Sequence, residues 1–595
     1  MTLHSNSRKL VGIPDESTSH RNMVEFSWLT VFLLSMLFFA PTSASICRLA
    51  CGFVPVVNID DGCICGTYMD GLDGGPFEAF LGIPFAKPPL GALRFANPVP
   101  NDPWKGILNA SIPRNACIQK NDFVPQASIE GVEDCLYLNV YRPKGIIRPL
   151  PVMVFIHGGG YIAGSAHPAL FGPEKVMDAK KVILVTVQYR LGVLGFLSTE
   201  DQAAPGNFGL KDQSMALRWV QRNIREFGGA TDRVTAFGQS AGGSSIQFHM
   251  MSPLSKGLFS KAILESGSAL AFWNDPHKDW FALARQQAAA VDIFGAAEMN
   301  SWQLIDALRN VDAVKLVASI DKLKSWNVQP IMLYHPVIER YVDEETFLAE
   351  DPMILWKEGR YHRVPWMTGY VPNEGAGLLL YVLSNATLLQ QLIENQQSLV
   401  PAFVGVSESI LPQLYNGYFE GNPLNVNNSE GASRMATDAA ILYPMIKGIR
   451  QHLRNRKEEP VSLYYFNFKG RYSYSSLYTG LTSNKDYGIC HSDDLIYLFR
   501  QRLVFPDFPP NSPEAEMSRR LIENFIRFAY DGELNSSDDT ERCCGNQTGR
   551  NKFVGLVEFT NSAGPSHVNI RYLDENNAVV SDLLEMFDWW SKLEK

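Results

Sequence analysis

Four short stretches of the chain are apolar almost without interruption: PVMVFIH from Pro151, KVILVTVQYR from Lys181, RVTAFG from Arg233 and SLYYFNF from Ser462. A strand reads this way when both its faces are covered, whereas a half-exposed strand alternates. Between these stretches the period changes. SMALRWVQRNIREF from Ser214 sets Met215, Leu217, Trp219, Val220, Ile224 and Phe227 at helical spacing. Strand and helix in alternation predict an α/β fold, a large and mostly parallel central sheet with helices on both faces. Ligands in such sheets bind beyond the carboxyl ends of the strands. Pro and Gly are scattered and no Gly/Ser linker or internal repeat interrupts the pattern, so residues 46–595 read as one domain.

The first 45 residues break that pattern. Arg8, Lys9 and Arg21 precede an apolar run from Trp28 to Ala40, and Thr42, Ser43 and Ala44 follow it. The run has the length of a signal-peptide core and falls short of the roughly 20 residues of a spanning helix. Residues 1–45 are therefore expected to be a signal peptide with a long basic lead, Met23 being an alternative start. Secretion is the expected localisation; retention of the segment as an anchor is the other reading. Nine cysteines fit an oxidising compartment: Cys47, Cys51, Cys63, Cys65, Cys117, Cys135, Cys490, Cys543 and Cys544. None forms paired zinc knuckles, and an odd count leaves at least one thiol free or intermolecular. Two bridges among the first four are expected, in a pairing the sequence does not fix. Sequons at Asn109, Asn385, Asn427, Asn535 and Asn546 are candidate glycosylation sites. The net charge of -9, with no Lys/Arg cluster, argues against nucleic acid as a partner.

Candidate chemistry falls where the fold would put it. Gly238-Gln239-Ser240-Ala241-Gly242 stands between the RVTAFG strand and a helical stretch running from Ala241 toward Met251. A serine hydroxyl needs a base and must project into a site; a sharp strand-to-helix turn between glycines provides the projection. G-x-S-x-G also arises by chance, so context decides. His157-Gly158-Gly159-Gly160 directly follows the PVMVFI strand. Consecutive glycines let backbone N–H groups approach a developing oxyanion, and Ala241 would add another.

With these motifs the chain resembles the carboxylesterase/cholinesterase family of α/β-hydrolases. The likeness runs from about Val56 to Leu593 and is carried by FLGIPFAKPPLGALRF at Phe80, EDCLYLNVY at Glu133, HGGGY at His157, VQYRLGVLGFLS at Val187, GNFGLKDQ at Gly206, GQSAGG at Gly238 and ESGS at Glu265. The resemblance implies an α/β-hydrolase fold and a triad in the order Ser, Glu, His: Ser240, Glu374 within GYVPNEGAGLLL, and His491 within GICHSDDLIYLF. It implies Gly159, Gly160 and Ala241 as the oxyanion hole, no metal or cofactor, and a disulfide between Cys117 and Cys135. Cys490, beside the expected base, is a candidate for the unpaired thiol. His249 is expected to be structural, and Ser492, Asp493 and Asp494 are potential caps of the helix that follows them.

The loop between Cys117 and Cys135 has no tryptophan, and a quaternary ammonium substrate needs an aromatic face. Acetylcholine is therefore not expected. Trp273 is a candidate wall of the acyl pocket, or simply a packed aromatic. Gln239 stands where many relatives carry Glu; an uncharged side chain there suits a neutral, lipophilic ester. G-Q-S-A-G resembles the signature of insect juvenile hormone esterases, whose substrates are sesquiterpenoid methyl esters. The expectation is a secreted serine carboxylesterase of that type acting on a small lipophilic ester, as monomer or homodimer with no obligate protein partner. A broad esterase for xenobiotic, pheromone or dietary esters is the alternative, and a non-catalytic adhesion relative the third.

Overall fold

The computed structural model describes residues 47–593, apart from 50, 327–328, 456–460, 481–484, 533–554, 561–568 and 572–577. The expected signal peptide, Cys543, Cys544, Asn535 and Asn546 lie outside the described residues. Eleven strands form one sheet: β1 (Thr67–Asp70), β2 (Pro76–Pro84), β3 (Tyr137–Arg142), β4 (Leu150–Ile156), β5 (Ile183–Val187), β6 (Gly229–Gln239), β7 (Lys261–Glu265), β8 (Trp366–Tyr370), β9 (Val461–Tyr465), β10 (Gly555–Thr560) and β11 (Asn569–Arg571). Their order is β11-β10-β9-β8-β7-β6-β4-β5-β3-β2-β1. The six strands from β5 through β4 to β9 run parallel. Both margins are antiparallel, so the expected parallel centre is flanked by antiparallel strands. The runs that announce strands in the sequence are the doubly covered central ones; the margins are made by shorter or half-exposed segments such as β1.

Both faces of the centre are buried. Along β4, Val152, Val154 and Ile156 join one core while Met153 and Phe155 join the other. This is the two-residue period of a strand with apolar side chains on each face. Helices α1 (Phe208–Asn223) and α2 (Ala241–Met251) serve the first face. Two further helices, α3 (Ala376–Ser384) and α4 (Glu430–Thr437), belong to a helical layer above the carboxyl ends of the strands. From α4 the chain passes through a π-helical turn at Asp438–Leu442 into α5 (Tyr443–Asn455). Helix α6 (Pro513–Asp531) packs Met517, Leu521, Phe525 and Phe528 on the second sheet face. Helix α7 (Ala578–Leu593) returns to the helical layer, where Trp590 is buried.

An N-terminal turn is stapled to the small sheet of Val56–Ile59 and Gly62–Cys65 by Cys47–Cys63 and Cys51–Cys65. The crowding of Cys47, Cys51 and Cys63 is thereby explained by bridges rather than by a metal. Cys117–Cys135 is bridged as the resemblance implied, and Cys490 is a buried free thiol. Asn109, Asn385 and Asn427 are exposed. Among the described residues no single helix is long and apolar enough to cross a membrane.

Candidate active site

The sheet order reverses at β4: β5 lies on one side of it and β6 on the other. The crevice at such a reversal is where α/β sheets bind ligands. The glycine loop leaves β4 and the Ser240 turn leaves β6, so two distant motifs meet there. Ser240 has φ 58 and ψ -123, a backbone conformation an L-residue adopts only when its surroundings enforce it. They do so here. Ser240 N donates to Glu265 O at 2.7 Å, and Ser244 N donates to Ser240 O at 2.9 Å as α2 begins. Gly267 passes so close that a Cβ there would sit 2.0 Å from Ser240 O. The turn is thus locked between β7 and its own helix, with Ala241 as the first helical residue.

The glycine loop fits against it. A Cβ on Gly158 would lie 2.5 Å from Gln239 O and 3.0 Å from Ser240 Cβ. Gly159 and Gly160 have φ of 106 and 60, the left-handed side that glycine adopts without strain. His157, though adjacent, is fully buried and stacks on Tyr189; burial lowers its pKa to about 4.

Glu374 and His491 come from loops beyond β8 and β9. A short parallel bridge joins those loops: Asn373 N donates to Ile489 O at 3.0 Å, and His491 N to Asn373 O at 3.1 Å. Residues 117 apart in sequence are thereby set side by side, and Nδ1 of His491 hydrogen-bonds Oε2 of Glu374. The other oxygen, Oε1, accepts from Val371 N at 2.9 Å. Helix α4 clamps the Glu374 loop, since Gly375 N donates to Thr437 Oγ1 at 2.8 Å and Ser433 Oγ to Asn373 Oδ1 at 2.6 Å. The far side of the imidazole faces Gln239, whose Nε2 lies 3.1 Å from His491 Nε2 and 2.9 Å from Ser492 Oγ. Gln239 is 2% exposed and turned toward the His491 loop.

Carboxyls crowd the floor of the site. Burial, opposed by hydrogen bonds from the Cys490 and Tyr474 N–H groups, raises Asp493 to about 7. Asp494 rises to about 6 through burial and the nearby Glu374. It caps the short helix Leu495–Leu498 and accepts from Tyr464 Oη at 3.0 Å. Glu265 is wholly buried with both carboxyl oxygens unpartnered; burial first, then Asp494, drives its pKa well up. Burial likewise pushes the Cys490 thiol up to about 12.

Trp273 is buried in a 3-10 turn, donates from Nε1 to Ala440 O in the π-helical turn at 3.1 Å, and has its ring 6.2 Å from Tyr161, next to Gly160. A cavity of about 580 Å³ adjoins that turn, lined by Leu270, Phe272, Val404, Tyr443 and Trp590 but by neither Ser240 nor His491. His249 is structural as expected, bonded to Ser255 Oγ and Gln213 Oε1. The geometry adds Asn373, Glu265, Ser492 and Thr437 to the site. Only the first three sat in or beside quoted motifs, and nothing in the chain near Thr437 marked it.

The sequence model of the carboxylesterase family matches residues 54–556. The chain is similar to a juvenile hormone esterase of Tribolium castaneum, 39% identical over 497 residues that span 80% of this chain and 84% of the relative. It is also similar to venom carboxylesterase-6 of Apis mellifera, 32% identical over 85% of this chain and 91% of that one. The crystal structure of juvenile hormone esterase from Manduca sexta, with OTFP covalently attached, superposes with a TM-score of 0.75 at 27% identity, covering 91% of this chain and 99% of the other.

Proposed function

The chain belongs to the carboxylesterase family and is a carboxylic ester hydrolase; on that premise we propose that it is a secreted serine esterase that cleaves a neutral lipophilic ester, juvenile hormone methyl ester foremost, through an acyl-enzyme. The observation that carries the mechanism is the locked turn of Ser240, whose neighbour Gln239 meets a His491 with its Nδ1 held by Glu374. Ser240 Oγ attacks the ester carbonyl while His491 Nε2 takes its proton. The N–H groups of Gly159, Gly160 and Ala241 receive the oxyanion, in a site where they need no reorganisation. His491 then returns the proton to the departing alcohol, methanol in the case of the hormone. A water attacks the acyl-enzyme with His491 again as base, and the acid leaves. Glu374 keeps the proton on Nδ1 and stabilises the imidazolium.

The substrate assignment is supported by the similarity to the Tribolium esterase and by an uncharged Gln239 beside the nucleophile. Trp273, close to the glycine loop, is proposed as the acyl-side wall. Bridged cysteines and exposed sequons favour a secreted protein. The test compares kcat/KM on juvenile hormone and on naphthyl acetate. A preference for the hormone of about tenfold or more, about 1.4 kcal/mol, is expected; preference for the generic ester would replace the assignment by a broad esterase. Ser240→Ala should lower kcat on either ester by on the order of 10³-fold or more. Hydrolysis unchanged in that variant would remove Ser240 from the reaction.

A further inference from the structure

The hydrogen-bond donors around His491 carry an inference about Gln239. A carboxylate only accepts, so the His491 nitrogen that meets Glu374, Nδ1, bears a proton. In the neutral ring the lone pair is then on Nε2, and the group facing it is a donor, the side-chain nitrogen of Gln239 at 3.1 Å. That nitrogen has two hydrogens and spends the other on Ser492 Oγ at 2.9 Å. Among the described residues no hydrogen bond joins His491 Nε2 to Ser240 Oγ. The basic nitrogen that must receive the serine proton is thus engaged by the residue immediately before the serine.

We propose that Gln239 is a positioning residue for the base: its amide docks the neutral His491 imidazole between turnovers and releases it as the ring takes the proton of Ser240. The proposal rests on the esterase reading above. An N–H donated to Nε2 favours the neutral ring, because imidazolium has no lone pair there to accept it. When Nε2 gains the serine proton, the contact becomes donor against donor and must break. The ring is thereby turned toward the hydroxyl and leaving group at the moment it can donate. Gln239 is anchored for this work from both sides. Its backbone is the last residue of β6, and its Oε1 lies over Gly158, where a Cβ would approach to 2.7 Å. The same amide therefore touches the glycine loop, the nucleophile's turn and the base loop.

The charged and titratable groups around the ring are few and placed differently. Glu374 faces Nδ1. Asp494, on the ring's own loop, is turned to Tyr464 and its helix cap; Asp493 is held by Cys490 N and Tyr474 N. Glu265 lies beyond Asp494, the Cys490 thiol is adjacent in sequence, and Tyr478 Oη donates to the His491 carbonyl. On the Nε2 side the side chain in contact is the uncharged Gln239. A carboxylate in its place would reverse the preference by binding imidazolium.

The experiment measures the pH dependence of kcat/KM on naphthyl acetate for the parent, Gln239→Glu, Gln239→Leu and Ser492→Ala. The acid limb should move upward by about one pH unit in Gln239→Glu. It should move upward by less in Gln239→Leu, which removes the donor without adding charge, and in Ser492→Ala, which removes the second anchor of the amide. The shift should appear in kcat at a KM changed less than about threefold. An acid limb that stays fixed in Gln239→Glu, or in Ser492→Ala if the Gln239 variants do not fold, overturns the proposal. So does a change confined to KM, which would make Gln239 a wall of the substrate pocket. Ser240→Ala run alongside separates the two readings: loss of hydrolysis there with a fixed acid limb in the other variants sinks only the docking role.

Discussion

Glu265 sits at 0% exposure with neither carboxyl oxygen partnered. Burial raises its pKa well above the ordinary value, with Asp494 adding to the shift. The folded chain therefore holds a proton that the unfolded chain would release near pH 4.3. Its cost to stability is absent below that pH and grows as pH rises toward the elevated folded value. Glu265→Gln keeps the shape and removes the acid, so the variant should gain a few degrees in thermal midpoint at pH 8 and little at pH 4. An equal or larger gain at pH 4 would show that Glu265 is not protonated in the fold. At this scale the sequence is legible where the chemistry is local. A serine between glycines after a strand, and glycines after the neighbouring strand, announce themselves because geometry demands those residue types at those positions. Glu265 and Ser492 do not announce their neighbours. What makes one an unpaired acid and the other an anchor for Gln239 comes from chain hundreds of positions away.

Among the elements, the central strands and α2 are where their apolar patterns put them. Helix α1 begins at Phe208, before the amphipathic stretch read from Ser214, and ends in a 3-10 turn at Ile224–Phe227. GNFGLKDQ is therefore largely helical, and Asp212 within it forms a buried two-point ion pair with Arg190. The role of α4 was not readable, because its bond to the Glu374 loop joins residues 62 apart. Its contribution can be tested. Thr437→Val keeps the volume of the side chain and removes the acceptor for Gly375 N, at a cost of about 1–3 kcal/mol for a buried N–H left alone. The loop carrying Glu374 should loosen, lowering kcat by about tenfold with KM nearly unchanged. Kinetics on naphthyl acetate check this; unchanged kcat would mean that the Asn373 bridge alone holds the loop.

The whole molecule is closed by contacts between parts remote in sequence. Arg94 reaches Glu133 and the carbonyls of Leu308, Arg309 and Val311. At the other end of the chain, Trp590 of α7 donates to Tyr418 Oη at 2.7 Å, which donates to Asp438 at 2.7 Å. Burial lifts Asp438 to about 6. Its charge therefore costs stability progressively between pH 4 and about 6, the window between the unfolded and folded values. Asp438→Asn should flatten the loss of stability across that window, measured by denaturant unfolding at pH 4, 5, 6 and 7; parallel curves for parent and variant would refute it. None of these contacts was visible in composition or period, since each depends on how the layers stack. Asp438 also opens the π-helical turn whose Ala440 carbonyl holds Trp273. Such a turn contains one residue more than the α-helix around it would use. Removing any single residue from Asp438–Leu442 would let an uninterrupted α-helix form, at no cost in hydrogen bonding. The wide turn absorbs its extra residue locally, so α4 and α5 would keep their phase and only the backbone of the turn would tighten, moving the Ala440 carbonyl that holds Trp273. A one-residue deletion in this stretch should therefore leave α4 and α5 folded and in place, and act on Trp273 alone through the loss of its bond to the Ala440 carbonyl.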